Sequence, residues 1–192
     1  MDQPCPGFGT KAAELLQQAS KLGFLTSADV VSEESDRFAR VVMPTLPFLD
    51  LIFLNEFEAG QALSIQLRRG DQIDVPALLR SAETLLAAGV RDWVIIHFPE
   101  GALAVSSAGR KIFQPSLKLP SNQIAGAVGA GDAFAAGLLL GYHNGHPIEE
   151  CLVYAVCAAA ASLRHPSTSG SVENISACLA LGRQFGYREP LL

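Results

Sequence analysis

Two short, unbroken apolar runs constrain the fold most: DLIFL at Asp50–Leu54 and DWVIIHF at Asp92–Phe98. Neither alternates between apolar and polar residues. Each is therefore expected to be a strand covered on both faces, as in a parallel sheet. Amphipathic stretches separate them. Thr10 can N-cap a helix through KAAELLQQASKL, with Gly23 at the left-handed position past its end. Phe24–Val31 reads as a strand, and Ser35 or Asp36 opens a second helix that stops near Pro47. Asn55 begins a third helix, NEFEAGQALSI. Asp74 caps a fourth, with Pro76 in its first turn and Gly89 at its end. ALAVS and KIFQP, separated by SAGR, read as a hairpin. The last third is helical, over Asp132–Tyr142, Ile148–Leu163 and Glu173–Gly182. Helices alternating with apolar strands predict a three-layer α/β/α fold with a mostly parallel sheet.

Such folds usually lead with a strand, yet here the first element is a helix. The residues before Thr10 hold Pro4, Pro6, Gly7 and Gly9 and are expected to form no strand. The chain, residues 1–192, thus reads as the later part of a longer α/β domain. Leading strands missing from such a sheet would leave a bare edge and apolar surface, which favours association, for example as a homodimer.

Composition narrows the function classes. With 49% apolar residues and 17% charged, the chain can bury a core and is not disordered. Its formal charge of −5 argues against a nucleic-acid partner, which needs a basic face. The longest apolar stretches, Ala133–Tyr142 and Val153–Leu163, fall short of the ~18 residues of a membrane span. No secretory leader is visible in MDQPCPGFGT. Cys5, Cys151, Cys157 and Cys178 match no zinc spacing, and a reducing cytoplasm is the simplest setting. Trp93, at the start of its strand, reads as packing.

Parallel sheets bind ligands beyond the carboxyl ends of their strands. Asp29, Asn55 and His97 fall there, although Asp and Asn also serve as ordinary caps. The most informative segment is AGAVGAGDAFAAGLLLGYHNG, Ala125–Gly145. Gly129, Ala130 and Gly131 lead straight into an apolar helix. Small residues let the backbone present successive N–H groups to an anion, and the helix N-terminus adds partial positive charge. Asp132 at the same terminus could take a proton from an alcohol held against that anion site. A dinucleotide fingerprint fails because Phe134 occupies the third small position, and no Walker A loop exists. A plain glycine-rich turn is the alternative. His143 and His146 occupy a turn and lack metal-ligand spacing. The acidic run Glu33, Glu34 and Asp36 reads as a solvated helix entry.

GAVGAGDAFAAG closely resembles the C-terminal signature of the PfkB/ribokinase family of carbohydrate kinases, D-T-x-G-A-G-D-x-F-x-A-G. NEFE at Asn55–Glu58 resembles the N-x-x-E motif of that family, and IEECLVYAVCAAAASLRHPS its alanine-rich helix at the nucleotide site. The resemblance runs from about Thr10 to the end. It implies an ATP-dependent phosphotransferase acting on a sugar, nucleoside or similar alcohol. Asp132 would be the general base, and the amides of Gly129, Ala130, Gly131 and Asp132 the anion hole. Glu58 would help hold Mg2+ through water, with Asn55 near the phosphates.

Several positions depart from the family pattern. Gly126-Ala127 replaces the Asp-Thr opening, and a glycine supplies no carboxylate for the monovalent-cation site of many members. The usual Thr-x-Gly-x-x-Gly segment is His97-Phe98-Pro99-Glu100-Gly101, shorter and poorer in glycine, so His97, Glu100 and Gly101 would line ATP through different contacts. His97 reads as a hydrogen-bonded strand end rather than a catalyst. Val156 stands where members often carry Asn near the adenine, and Asp29, Val31 and Glu33 replace a D-x-N-x-R pattern. Nothing corresponds to the family's sugar-binding N-terminal part and β lid. The second reading is therefore a non-catalytic nucleotide-binding remnant or interaction module.

Overall fold

The computed structural model describes residues 3–32 and 37–191. They fall into two compact units. The first holds the residues up to His97 with Leu103–Lys111, and the second Phe98–Ala102 with everything from Ile112 onward.

The chain opens with β1 (Pro4–Cys5) and β2 (Gly9–Thr10), which pair antiparallel. No strand was expected there. The turn forms because Gly7 and Gly9 adopt positive φ, 82° and 79°, which only glycine takes without strain. Thr10 then caps α1 (Lys11–Lys21), its side chain accepting from Ala13 N. The strand expected over Phe24–Val31 shrinks to β3 (Ser27–Asp29), which pairs with only three residues of its neighbour. α2 (Arg37–Val42) gives way to a 3-10 turn over Met43–Phe48, where Pro44 and Pro47 withhold the N–H groups a longer α-helix needs. Its expected openers, Ser35 and Asp36, lie outside the described residues, as does the acidic run.

β4 (Leu51–Asn55) leads into α3 (Glu56–Leu63). A small antiparallel hairpin follows, β5 (Arg68–Arg69) and β6 (Gln72–Ile73). The sequence reading missed it, although Gly70-Asp71 is a two-residue turn signal. α4 (Val75–Ala87) is capped by Asp74 as expected. β7 (Trp93–Phe98), β8 (Gly101–Ser106) and β9 (Lys111–Pro115) complete a five-stranded sheet in the order β3-β4-β7-β8-β9. β3, β4 and β7 are parallel, and the predicted hairpin joins β8 to β9. β3 is an outer strand, and Leu22, Phe24, Leu25 and Val31 around it are exposed.

The first unit's core is built on β4 and β7, whose Ile52, Leu54, Ile95 and Ile96 are fully buried. A polar clasp holds the amino ends of the parallel strands. Asp50 Oδ2 accepts from Thr26 N at 2.7 Å and pairs with Arg91 Nη2 at 2.9 Å. Trp93 is buried, with the Arg110 guanidinium 5.6 Å from its ring centre.

The second unit is mainly α5 (Ala130–His143), α6 (Ile148–Ser162) and α7 (Ile175–Phe185). Cys151, Cys157 and Cys178 are buried free thiols. α5 and α6 approach closely because Gly137 has no side chain. A Cβ there would lie 2.8 Å from the Tyr154 carbonyl oxygen and 3.0 Å from Ala155 Cα. Among the described residues no helix is long and apolar enough to cross a membrane.

That contact sets a stability prediction. Gly137→Val forces a branched side chain against backbone that cannot yield and is expected to destabilise the chain by about 2 kcal/mol or more. Urea unfolding checks it, through a lower midpoint at unchanged slope.

Candidate active site

The parallel register brings polar residues to the carboxyl ends of the strands in the first unit. Asp29 ends β3 and Asn55 ends β4, and Asn55 lies opposite His97 on β7. Asn55 is both the last strand residue and the N-cap of α3. Its Oδ1 accepts from Glu58 N at 2.8 Å, and Glu58 Oε2 accepts from Asn55 N at 2.8 Å. This reciprocal capping box satisfies two helix-end amides. Glu58 Oε1 accepts from Ser32 Oγ at 2.6 Å, while Asn55 Nδ2 donates to the same hydroxyl oxygen at 3.2 Å.

Only 4% of Glu58 is exposed, and burial pushes its carboxyl above the usual range, against the opposing pull of its hydrogen bonds from Ser32 and Asn55. Burial drives the His97 imidazole down to about 4, so the ring is neutral at neutral pH. A neutral ring donates one hydrogen bond and accepts one, and offers no cation to a phosphate. Among the described residues no group of three or more His, Cys, Asp or Glu could cage a metal.

The second unit carries the glycine-rich entry to α5. Gly129 is the N-cap with φ 83°, and a Cβ on it would lie 2.6 Å from the Thr168 carbonyl oxygen. Conformation and space both require glycine there. Ala130 N donates to Ala127 O at 3.3 Å, closing the turn, and Ala133 N donates to Gly129 O at 2.9 Å. Gly131 and Asp132 lie in the first turn, where an α-helix has no carbonyl of its own to offer their amides. Asp132 is exposed in that turn, at the positive end of a 14-residue helix. Thr168 is itself held from behind, its carbonyl accepting from the buried Ser162 Oγ at 3.0 Å.

Glu100 and Gly101 lie at the turn into β8, and Val156 lies within α6. Glu100 O accepts from Ser116 N at 3.0 Å. Gly101 is glycine because a Cβ would run into the Gln114 carbonyl and the Phe113 ring. Val156 is 4% exposed, an apolar core position. The structure thus groups Asn55, Glu58 and His97 in one unit, and Glu100, Gly101, Gly129–Asp132 and Val156 in the other. His146 sits 2.9 Å from Glu150 in an ordinary helix-entry pair.

Sequence reasoning missed Ser32, Ser162 and Thr168. The first is reached only through the pairing of β3 with β4, and the others only through the loop that folds back after α6. No spacing rule marks any of them.

The buried imidazole generates a pH prediction. The unfolded chain protonates His97 near 6.5 and the folded chain only near 4, so stability present above pH 6.5 is lost as pH falls through that window. Between pH 7 and 5 the wild type is expected to lose about 2 kcal/mol more than His97→Gln. The raised carboxyl of Glu58 acts in the opposite sense but is common to both proteins. Urea midpoints at the two pH values test this, and parallel losses would reject it.

Residues 3–175 match the family described as pfkB family carbohydrate kinase. Adenosine kinase of Dictyostelium discoideum is 30% identical over 118 residues, which are 61% of this chain and 34% of that protein. Cytidine kinase of Thermococcus kodakarensis is 36% identical over 72 residues, 38% of this chain and 25% of that protein. Among solved structures, Arabidopsis thaliana ribokinase complexed with ribose and ATP superposes with a TM-score of 0.74 at 20% identity. That match covers 90% of this chain and 52% of the ribokinase. Escherichia coli phosphofructokinase-2 in complex with potassium gives 0.72 at 20% identity, covering 91% and 52%. At such identities the likeness speaks for the fold. The chain spans about a third of the length of the adenosine kinase and about half of each solved structure. Matched over most of its length, this chain belongs to the pfkB family of carbohydrate kinases.

Proposed function

We propose that this chain carries the nucleotide-binding and phosphoryl-transfer machinery of an ATP-dependent kinase whose acceptor is a hydroxyl of a sugar or nucleoside-like substrate. One observation carries the reading: an exposed carboxylate, Asp132, sits in the first turn of α5 directly after a left-handed glycine cap. Phosphoryl transfer needs positioning and charge stabilisation more than covalent chemistry. In this reading Asp132 takes the proton of the attacking hydroxyl. The amides of Gly129, Gly131 and Asp132 receive the transferring phosphoryl oxygens, while that of Ala130, also expected there, is turned to Ala127 O and shapes the turn.

In the first unit Asn55 and His97 at the strand ends are assigned to the nucleotide, and in the second Glu100 and Gly101 at the β8 turn. His97 acts as a neutral hydrogen-bonding group and Val156 as apolar backing. Both Glu58 oxygens accept hydrogen bonds within the protein, and the lone pairs left to them suit the waters of a hydrated Mg2+. When bound, that ion would neutralise phosphate charge.

A second reading, a nucleotide-binding module without catalysis, draws support from the short span of the chain relative to its relatives. The two separate experimentally. With MgATP and a panel of adenosine, cytidine, ribose and fructose 6-phosphate, the kinase reading expects turnover that Asp132→Asn lowers by about 10²–10⁴-fold. ATP affinity, measured by calorimetry, should change less than about twofold, because the backbone amides stay in place. Full turnover by Asp132→Asn would remove the base from Asp132. ATP binding with no turnover on any acceptor would favour the module.

A further inference from the structure

The outer edge of β3 lacks the usual protection of a sheet edge. Residues 22–32, which carry β3 and the chain on either side of it, hold one charged residue, Asp29, and no lysine, arginine or proline. Natural edge strands are kept from pairing by charges, above all lysine, and by proline. β9, the other outer strand, has Lys111 at its start and Pro115 at its end. Five of the described large apolar side chains are more than 60% exposed, and four belong to the β3 stretch: Leu22 at 76%, Phe24 at 64%, Leu25 at 71% and Val31 at 85%. Scattered singly such residues are ordinary, but gathered along an open strand they mark a surface for a protein partner.

Backbone direction narrows what can cover it. Thr26 O accepts from Leu51 N at 3.1 Å, and Ser27 lies level with Leu51. Alternate residues of a strand face opposite neighbours, so Ala28 turns its N–H and C=O to β4 while Ser27 and Asp29 turn theirs to the outer side. Among the described residues no strand pairs on that side, and Ser27 and Asp29 are both exposed.

An antiparallel partner must set outward-facing residues of the two strands opposite one another at each hydrogen-bonded position. A second copy related by a two-fold axis can do so within β3 in three registers. Asp29 opposite Asp29 puts like charges face to face, which is destabilising. Ser27 opposite Ser27 sets Leu25 against the charge of Asp29 and Val31 against Gly23, with no apolar match. Ser27 opposite Asp29 centres the axis on Ala28 and sets Leu25 against Val31 twice, once on each side. The pair at the axis is then Ala28 with Ala28, and so small a side chain suits the shorter spacing of a position without hydrogen bonds. The stretch is self-complementary in this register alone.

We propose that two copies of this chain pair edge to edge through β3, antiparallel about a two-fold axis at Ala28, with Leu25 of each copy against Val31 of the other. The contact is isologous, so one patch serves both copies and closes the assembly at a dimer. It joins the two sheets into one and removes the open edge. It stands apart from the kinase reading, because no residue of the glycine-rich entry takes part.

Sedimentation equilibrium of the full chain, with paired charge variants, tests it. The wild type is expected to dimerise reversibly between about 1 and 100 μM, a range open to an interface of modest size. Leu25→Lys and Val31→Glu change exposed side chains and should leave the circular dichroism spectrum as it is. Each alone is expected to weaken the dimer by about tenfold or more, because a charge must then be buried against an aliphatic side chain. Mixed together, the two variants should recover the wild-type affinity within about threefold, since the register sets position 25 of one copy against position 31 of the other. A wild type that stays monomeric leaves the edge to some other polypeptide and overturns the proposal. Single variants that dimerise as tightly as the wild type, or a mixture no tighter than its components, overturn it as well. Should a charge variant fail to fold, oxidation of Ala28→Cys decides alone. A disulfide-linked dimer that the wild type does not form supports the register, and its absence rejects it.

Discussion

The pairing of β4 with a parallel strand on each side is the constraint from which the first unit follows. Its four leading side chains are buried, so the backbone can satisfy its polar groups only through β3 and β7. A one-residue slip would turn that apolar set to the wrong face. The register is held at the amino ends by Asp50, Thr26 and Arg91. With those ends locked, the opposite ends are determined: Asn55 must lie beside His97, and Asp29, which pairs with Phe53, two residues short of them. The polar edge is thus a consequence of hydrocarbon packing at the other end of the same strands.

The second unit solves a different problem. In the proposed reading, a helix entry that presents amides to an anion cannot bury them, and it cannot let side chains crowd them. Gly129 meets both demands, since its left-handed cap turns the chain and its missing Cβ makes room for Thr168. The entry is then supported from behind by the hydroxyl of Ser162 on the carbonyl of Thr168. Rigidity at the site comes from a buried polar contact between the end of α6 and the loop after it, while the site itself stays open.

What was legible in the sequence is local. The helix caps at Thr10, Asn55 and Asp74 follow from side chains that reach amides three residues ahead. Burial of β4 and β7 follows from apolar runs, and the β8–β9 hairpin from the turn between them. Elements that depend on distant pairing were not legible. β3 is shorter than its apolar stretch because only three residues find partners. The opening strands exist because two glycines fold a segment with little apolar content back on itself. Ser32 escapes any motif, since its place beside Glu58 depends on how β3 lies against β4. The glycines and Asp132 could be picked out as a group. The reason Gly101 is glycine could not, because it lies in the approach of β9 rather than in any ligand.

Glu58 shows how one side chain can be committed twice. As a cap it donates nothing and accepts from Asn55 N through one oxygen and from Ser32 through the other. As a buried group it is pushed toward its neutral form. A direct bond to a divalent ion would take up the remaining lone pair of an oxygen that already accepts from the helix cap or from Ser32. An ion held through its own water would use the same lone pair for a water hydrogen. The positive charge of such an ion would also favour the ionised form of Glu58, opposing the effect of burial. The capping box and a cation held through water are therefore compatible uses of the same carboxylate.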